Sequence, residues 1–499
     1  MKWILPFSLL ICLFAVTFSS CQRDENFITD SSARLSFSSD TLRFDTVFTT
    51  LGSATRILKV FNTESAPIMI DEISIKGNQG SKFRLNVDGI FAESFENVQI
   101  GANDSLYIFG EVTIDPDQPL SASPFVLSDE IMFNTNGNDQ IVVLEAWGQN
   151  ANYIPSTSGA NGISLLSCDL ETVIWDDPKP YVIYGILLVD SCTLNLPKGT
   201  EIYIHGGLAR GLDEQGETFI YNDGLIFFLD NGRLVSEGTL DEPVIIQGDR
   251  LEENFDDVQG QWSGIRLGAG SKGNLVDHTI IKNSIIGIRA DSSANLIITN
   301  SEIVNTASSG LLGIHAQFRV QNCLFHSNGG NCVQLEYGGQ YEFDYCTLAS
   351  YGVDASALKM SNALCLDLLC SEFLFNPLQA TFRNSIIMGS REDELDLFDR
   401  LGEDAPGGFD YTLQDCIVRV TDLPTEDLYL DFFDHCNPCR NASRTDSLFV
   451  SVEDDDYHLD TLSIAEEWGS PLPNLFFDLD GVMRDDLNPD AGCYEYIIQ

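Results

Sequence analysis

The chain is 499 residues long, with 75 acidic and 27 basic side chains and a formal net charge of −48. Such a field repels polyanions, so no nucleic-acid partner is expected. Hydrophobic residues at 43%, with 31 Phe, 15 Tyr and 5 Trp, exclude a disordered polar chain and leave two or more compact units or one elongated repeat.

Lys2 precedes an apolar run, Trp3 to Phe18, broken only by Pro6, Ser8 and Thr17 and followed by Ser19, Ser20 and Cys21. The run is too short for a spanning helix and reads as a signal peptide over residues 1–20. Ser19, Ser20 and Cys21 resemble the lipobox of bacterial lipoproteins, although Phe18 stands where Leu is usual. Asp24 and Glu25 resemble the acidic export signal of surface lipoproteins of the Bacteroidota type. The resemblance implies acylation at Cys21, an anchor linker over 21–34, and an outer-membrane, cell-surface location reached through lipid. An ordinary secretory signal with a chance cysteine is the alternative.

Residues 35–150 read as short β-strands. Stretches such as "RILKVFN" (Arg56 to Asn62), "DSLYIFGEVTI" (Asp104 to Ile114) and "QIVVLEAWGQ" (Gln140 to Gln149) alternate apolar with polar residues between Gly, Asn, Asp and Pro clusters. This pattern predicts a small antiparallel sandwich. "FNTNGNDQIVVLEAWGQ" resembles the Ig-like modules of the Hydin/ASPM class, which implies a spacer or adhesion module without chemistry.

After a Gly/Ser/Asn-rich connector, Asn150 to Gly162, a short phrase recurs six times, as in "VDHTIIKN", "ITNSEIVN" and "VQNCLFHSN". Aligned on Val276, Ile298, Val320, Phe343, Phe382 and Leu413, its intervals are 22, 22, 23, 39 and 31 residues. The first three match one coil of a solenoid, and the longer two imply insertions. Two residues on stand His278, Asn300, Asn322, Tyr345, Asn384 and Asp415, mostly types that tolerate a left-handed bend. A small residue follows, then an outward one, then an apolar core position. In the copy at Val320 this points Cys323 and Phe325 inward and Leu324 outward. Such copies cannot bury their apolar side alone and must stack, so residues 151–420 are expected to form a right-handed parallel β-helix. "PYVIYGILLVDSCTLNLPKGTEIYIHG" and "GRLVSEGTLDEPVIIQGDR" resemble opening coils of pectate-lyase-like β-helix proteins. "FFDLDGVMRDDLNPDAGCYEY" resembles their closing coil and cap, placed at 421–499. The fold class is therefore all-β, and most of the chain resembles the right-handed parallel β-helix repeat lipoproteins.

That fold hosts polysaccharide lyases and glycoside hydrolases, but the aspartate, Gly-His-Gly and Arg-Ile-Lys phrases of the polygalacturonase type have no match here. The conspicuous cluster is "GDRLEENFDDVQGQW", with Asp249, Arg250, Asp256, Asp257 and Trp262 as candidate binding residues. Such a loop would hold Ca²⁺ or a sugar, with Trp262 as stacking platform, or else is a solvated loop with Trp262 opening the next coil. "DLDG" (Asp478 to Gly481) reads as a turn more than a Ca²⁺ loop, and "HCNPC" (His435 to Cys439) as a disulfide or thiol pair more than a zinc site. Thirteen cysteines, less Cys12 in the signal and Cys21 at the anchor, leave an odd eleven, so at least one thiol stays free or pairs outside the chain. No catalytic residue is assigned and no cofactor beyond a candidate Ca²⁺. The expected function is glycan or macromolecule binding, or an envelope-structural role, by a surface-anchored lipoprotein whose partners are glycans or other surface proteins. The alternative is a carbohydrate-active enzyme, a polysaccharide lyase or glycoside hydrolase with divergent catalytic residues.

Overall fold

The computed structural model describes residues 27–48, 55–77, 82–113, 125–149, 151–154, 163–212, 218–251, 255–367, 370–402 and 407–497. Cys21 and the segment before it lie outside the described residues. The chain divides into two compact units, residues 1–150 and 151–499.

In the first unit two five-stranded sheets share one core. Leu58, Val60, Leu85 and Ile108 from one sheet meet Phe44, Ile70, Phe133 and Leu144 from the other. Strands such as Arg56–Asn62 and Phe83–Val87 bury alternate residues, so one face of each sheet is apolar and the two close on each other. Pairing is antiparallel except where Thr41–Phe48 runs parallel to Asn138–Gln149. The unit is a small β-sandwich.

The second unit is a parallel β-helix whose coils each pass over three faces. The first face is an 11-stranded parallel sheet that begins at Asn152–Ile154 and ends at Cys439–Asn441. The second and third faces form one 16-stranded sheet, because Leu311–Gln321 and Val333–Asp344 run unbroken through the corner between them. The repeated phrase covers the end of a third-face strand, the corner, and a first-face strand. Its alignment is the strand register: Val276 pairs with Ile298, Ile298 with Val320, Val320 with Phe343, Phe343 with Phe382, and Phe382 with Leu413. The 39-residue interval contains an inserted hairpin, Ala363–Cys365 with Phe373–Phe375, closed by the Cys365–Cys370 disulfide. Inward side chains make one continuous core from Trp175 to Cys436.

All six corner residues adopt positive φ, between 42° and 53°. A left-handed residue reverses the side-chain alternation and turns the chain sharply, which is why short polar side chains dominate there. A second such column, Asn283, Asn305 and Ser327, marks the other end of the first-face strands in three successive coils.

Leu423, Tyr429 and Phe432 plug the last coil. From Ala442 onward the chain does something the repeat does not foretell. It runs back along the outside of the first face and covers Leu324, Ala349, Ile386, Met388 and Ile417 with Leu448, Phe449, Tyr457, Ala491 and Cys493. Leu324 does point outward, yet it is only 3% exposed, which corrects the expectation that it meets water. Corner side chains pin this layer. Asn322 Nδ2 donates to the Phe477 carbonyl at 2.8 Å, and Asn384 Nδ2 to that of Ser470 at 2.7 Å. Buried Arg484 donates to Asn322 Oδ1 at 3.0 Å and lies 3.9 Å from the Tyr345 ring centroid.

Among the described cysteines, Cys168–Cys192, Cys365–Cys370 and Cys436–Cys439 are bonded and five are free and buried. The "HCNPC" pair is thus a disulfide. Cys323, Cys346 and Cys416 fill the small-residue column, where burial pushes the Cys416 thiol up to about 12 and leaves it inert.

Two outcomes follow for stability. Phe325→Asp places a charge inside the solenoid and should lower the melting temperature by roughly 10 °C or more. Leu324→Asp should instead release the C-terminal layer, detected as rapid proteolysis within 442–497 while far-UV circular dichroism of the solenoid persists. Silence of both assays for Leu324→Asp would contradict the covered first face.

The layer's attachment should also weaken in alkali. His326 is clasped between Glu302 (Nε2 to Oε1, 2.8 Å) and Asp455 (Nδ1 to Oδ1, 3.5 Å). Burial pulls its pKa down, but hydrogen bonds and charge from Asp455 and Glu302 outweigh that and raise it. Within the layer, hydrogen bonding to Asp480 and then Asp456 raises His458 to about 9. Both values are raised on folding, so this stabilisation is complete below the free-histidine value of 6.5 and is lost as pH climbs through the raised values, about 9 for His458. Limited proteolysis of residues 442–497 across that range should accelerate with pH, and His326→Gln should flatten the rise.

Candidate functional site

The loop that follows the first-face strand Val244–Gly248 scatters its charged residues instead of gathering them. Asp249 Oδ2 sits 2.7 Å from His205 Nδ1, and the His205 ring stacks on Tyr184 at 4.8 Å. Register explains the row, because Tyr184 pairs with His205 and Ile204 with Gly248 in successive coils. The hydrogen bond to Asp249 raises the His205 pKa. Arg250 lies 3.7 Å from the Phe255 ring centroid. Asp256 accepts from Lys282 Nζ at 2.7 Å, and Asp257 from Asn305 Nδ2 at 3.3 Å. Trp262 opens the strand Trp262–Leu267, as the second of its two readings has it, and the stacking platform is corrected. Its ring is 1% exposed inside the core, with Nε1 donating to the Lys282 carbonyl at 2.9 Å, so it offers no stacking face. Among the described residues no group of three or more His, Cys, Asp or Glu is arranged to hold a metal ion.

A site does form on the third face. Its strands bury every second residue inward, so Phe318 and Tyr341 pack into the core while their neighbours face out. In-register stacking then turns single outward residues into columns. One column runs Asn295, Gln317, Gln340 and Gln379, and the next runs Leu275, Ile297, Arg319, Glu342 and Thr381. Between Arg233 at one end and Thr381 at the other lies a groove of about 650 Å³. A second hollow, about 350 Å³, adjoins it at the corner with the second face and is lined by the same three glutamines with Ser293, His315 and Pro377.

The charge of this strip differs from that of the chain. Its ionised lining residues are Arg233, Arg319 and Glu342, with Arg319 and Glu342 4.0 Å apart and both about half exposed. Arg233 Nε donates to the Gly273 carbonyl. A nearly neutral strip on a chain of net charge −48 is a surface from which carboxylates have been kept away. Each glutamine amide offers two donors and an acceptor, the complement of a hydroxyl that both gives and takes a hydrogen bond. Glu342 is the single carboxylate in the lining, so the paired carboxylates of glycoside hydrolysis have no counterpart in the groove.

Sequence reasoning chose the acidic loop and passed over these glutamines. The signal was present. Asn295, Gln317, Gln340 and Gln379 each stand three residues before an aligned core position of the repeated phrase.

A family model described as the right handed beta helix region matches residues 157–348. Together with the register, this gives the second unit as a right-handed parallel β-helix. No curated protein matches. Among solved structures the chain is similar to the catalytic unit of a thermostable GH87 alpha-1,3-glucanase from Streptomyces thermodiastaticus, at 11% identity over 73% of this chain and 74% of that one, with a TM-score of 0.27. It is also similar to the periplasmic alginate epimerase AlgG, at 10% identity over 48% and 83%, TM-score 0.21. A family 123 glycoside hydrolase from Clostridium perfringens matches at 6% identity over 39% of this chain, TM-score 0.18, and the chain spans 47% of that protein's length. At these scores the likenesses add nothing to the reading of the site.

Proposed function

We propose that this chain is a lipid-anchored protein of the outer-membrane surface whose third face binds a neutral or weakly charged glycan chain. The observation that carries the reading is the in-register amide column Asn295, Gln317, Gln340 and Gln379 beside a groove of about 650 Å³. Six successive coils line that groove, which at about 4.8 Å per coil gives it a length on the order of 24 Å. A linear ligand lying along the solenoid axis would meet one column amide on each of four successive coils. The anchor reading is supported by the apolar run before Ser19, Ser20 and Cys21. The enzyme reading keeps one foothold, the Tyr184, His205 and Asp249 row, in which Asp249 orients an imidazole as a general base would need.

A glycan array probed with the purified protein tests the groove. At least one oligosaccharide should bind, and replacing Gln317, Gln340 and Gln379 together with Ala should weaken it by about a hundredfold, since each lost hydrogen bond costs about 1 kcal/mol. Full binding by the triple variant would move the site off the third face. The anchor is tested separately. Cys21→Ser should release the protein to a soluble fraction or leave an uncleaved precursor, whereas complete membrane partitioning of cleaved Cys21→Ser protein would sink the lipid anchor.

A further inference from the structure

Where the C-terminal layer crosses the corner column, it leaves two aromatic rings in water. Phe476 is 58% exposed and Phe477 51%, with Leu240 at 49% nearby. Lone exposed apolar residues need no explanation, but a contiguous set does. The backbone carrying these rings is held firmly. The Phe477 carbonyl accepts from Asn322 Nδ2 at 2.8 Å, and the Phe476 carbonyl from the Arg484 N–H at 2.9 Å. Asp478 accepts from the Val482 and Glu495 N–H groups at 2.7 and 2.8 Å. The backbone that carries the rings is therefore preorganised, which leaves mainly side-chain ordering to oppose binding.

They form one side of a hollow of about 310 Å³ whose other lining residues include Leu240, His278, Asn300 and Asn322. Asp277 fixes the polar side, accepting from Asn300 Nδ2 at 2.9 Å and lying 2.9 Å from His278 Nδ1. Burial would raise the Asp277 pKa, but His278, Asn300 and Thr299 together hold it below the ordinary value. The carboxylate is thus ionised, and His278 Nδ1 lies buried beside it without a hydrogen bond.

We infer that this hollow is a binding subsite for one uncharged pyranose ring. The apolar face of such a ring lies on Phe476 and Phe477, and its hydroxyl edge meets His278 and Asn300. The charges around it argue against ionic ligands. Both oxygens of Asp478 are engaged by backbone N–H groups, Asp480 is paired with His458 at 2.8 Å, and Asp277 accepts from Asn300, so a neutral ring displaces none of these bonds. An anion would meet the field of a chain with net charge −48. The volume, at the low end for ligand sites, suits a single ring. None of these residues lines the third-face groove, so the subsite stands on its own observations.

Saturation-transfer NMR on the purified full chain tests it, with methyl glucoside, methyl galactoside and methyl N-acetylglucosaminide as probes and glucuronate and choline as charged controls. At least one neutral glycoside should receive saturation, strongest at its ring C–H protons. Phe476→Ala with Phe477→Ala should weaken that binding by about tenfold, and the corresponding pair of Tyr substitutions should retain it. Leu462→Ala, an exposed apolar residue outside the hollow, should change nothing. The inference is overturned if no neutral glycoside binds, if only choline or glucuronate binds, or if the Ala pair binds as wild type does. Because the probes are single rings, a silent glycan array with positive spectra fails only the groove, and the converse fails only this hollow.

Discussion

The structure depends on one backbone constraint, the left-handed corner residue between the third and first faces. Every coil must turn there at the same point, or its apolar side chains would face water and its strands would lose their partners. His278, Asn300, Asn322, Tyr345, Asn384 and Asp415 meet that constraint with φ values between 42° and 53°. Once the corners align, register follows, and with it the stacking of Ile281, Ile303, Phe325, Leu348, Ile387 and Val418 into a single column. Burial of that column stabilises the stack, since no single coil has a second apolar layer of its own.

The same corner residues do a second job. A left-handed corner turns its side chain out of the sheet, which leaves Asn322, Tyr345 and Asn384 free to hold the C-terminal layer. The first face thereby gains a cover over its later coils, and the outward apolar residues there become a second core. This decides where a ligand can go. The third face stays open, and the edge of the covering layer, at Phe476 and Phe477, becomes a new boundary with chemistry that neither element has alone.

Charge sorts these surfaces further. A chain this acidic keeps long-range attraction for anions low, so the proposed sites at the amide column and the aromatic pair would select through shape and hydrogen bonding. Carboxylates near the two candidate surfaces are either few, as in the groove, or engaged by backbone amides and histidine, as around Phe477. Polar groups already satisfied within the protein compete little for a ligand and hold the unsatisfied ones in place.

Periodicity in the sequence determined the solenoid. A parallel stack repeats each environment once per coil, so a core position, a corner or an outward column must recur at the coil length, and residues 276–418 write that recurrence openly. The outward amide column is legible on the same terms, at a fixed offset from the core positions. Alternation likewise announced the strands of the sandwich. Tertiary structure alone decided which outward residues would be covered. Leu324 has the pattern of a solvent-facing residue and is buried by chain more than a hundred residues later; Trp262 looked like a platform and packs into the core; Asp249 finds His205 one coil away. The physical reason is that a repeat encodes contacts between neighbouring coils, where spacing is fixed, whereas lateral contacts join non-repeating segments whose meeting depends on the path of the whole chain.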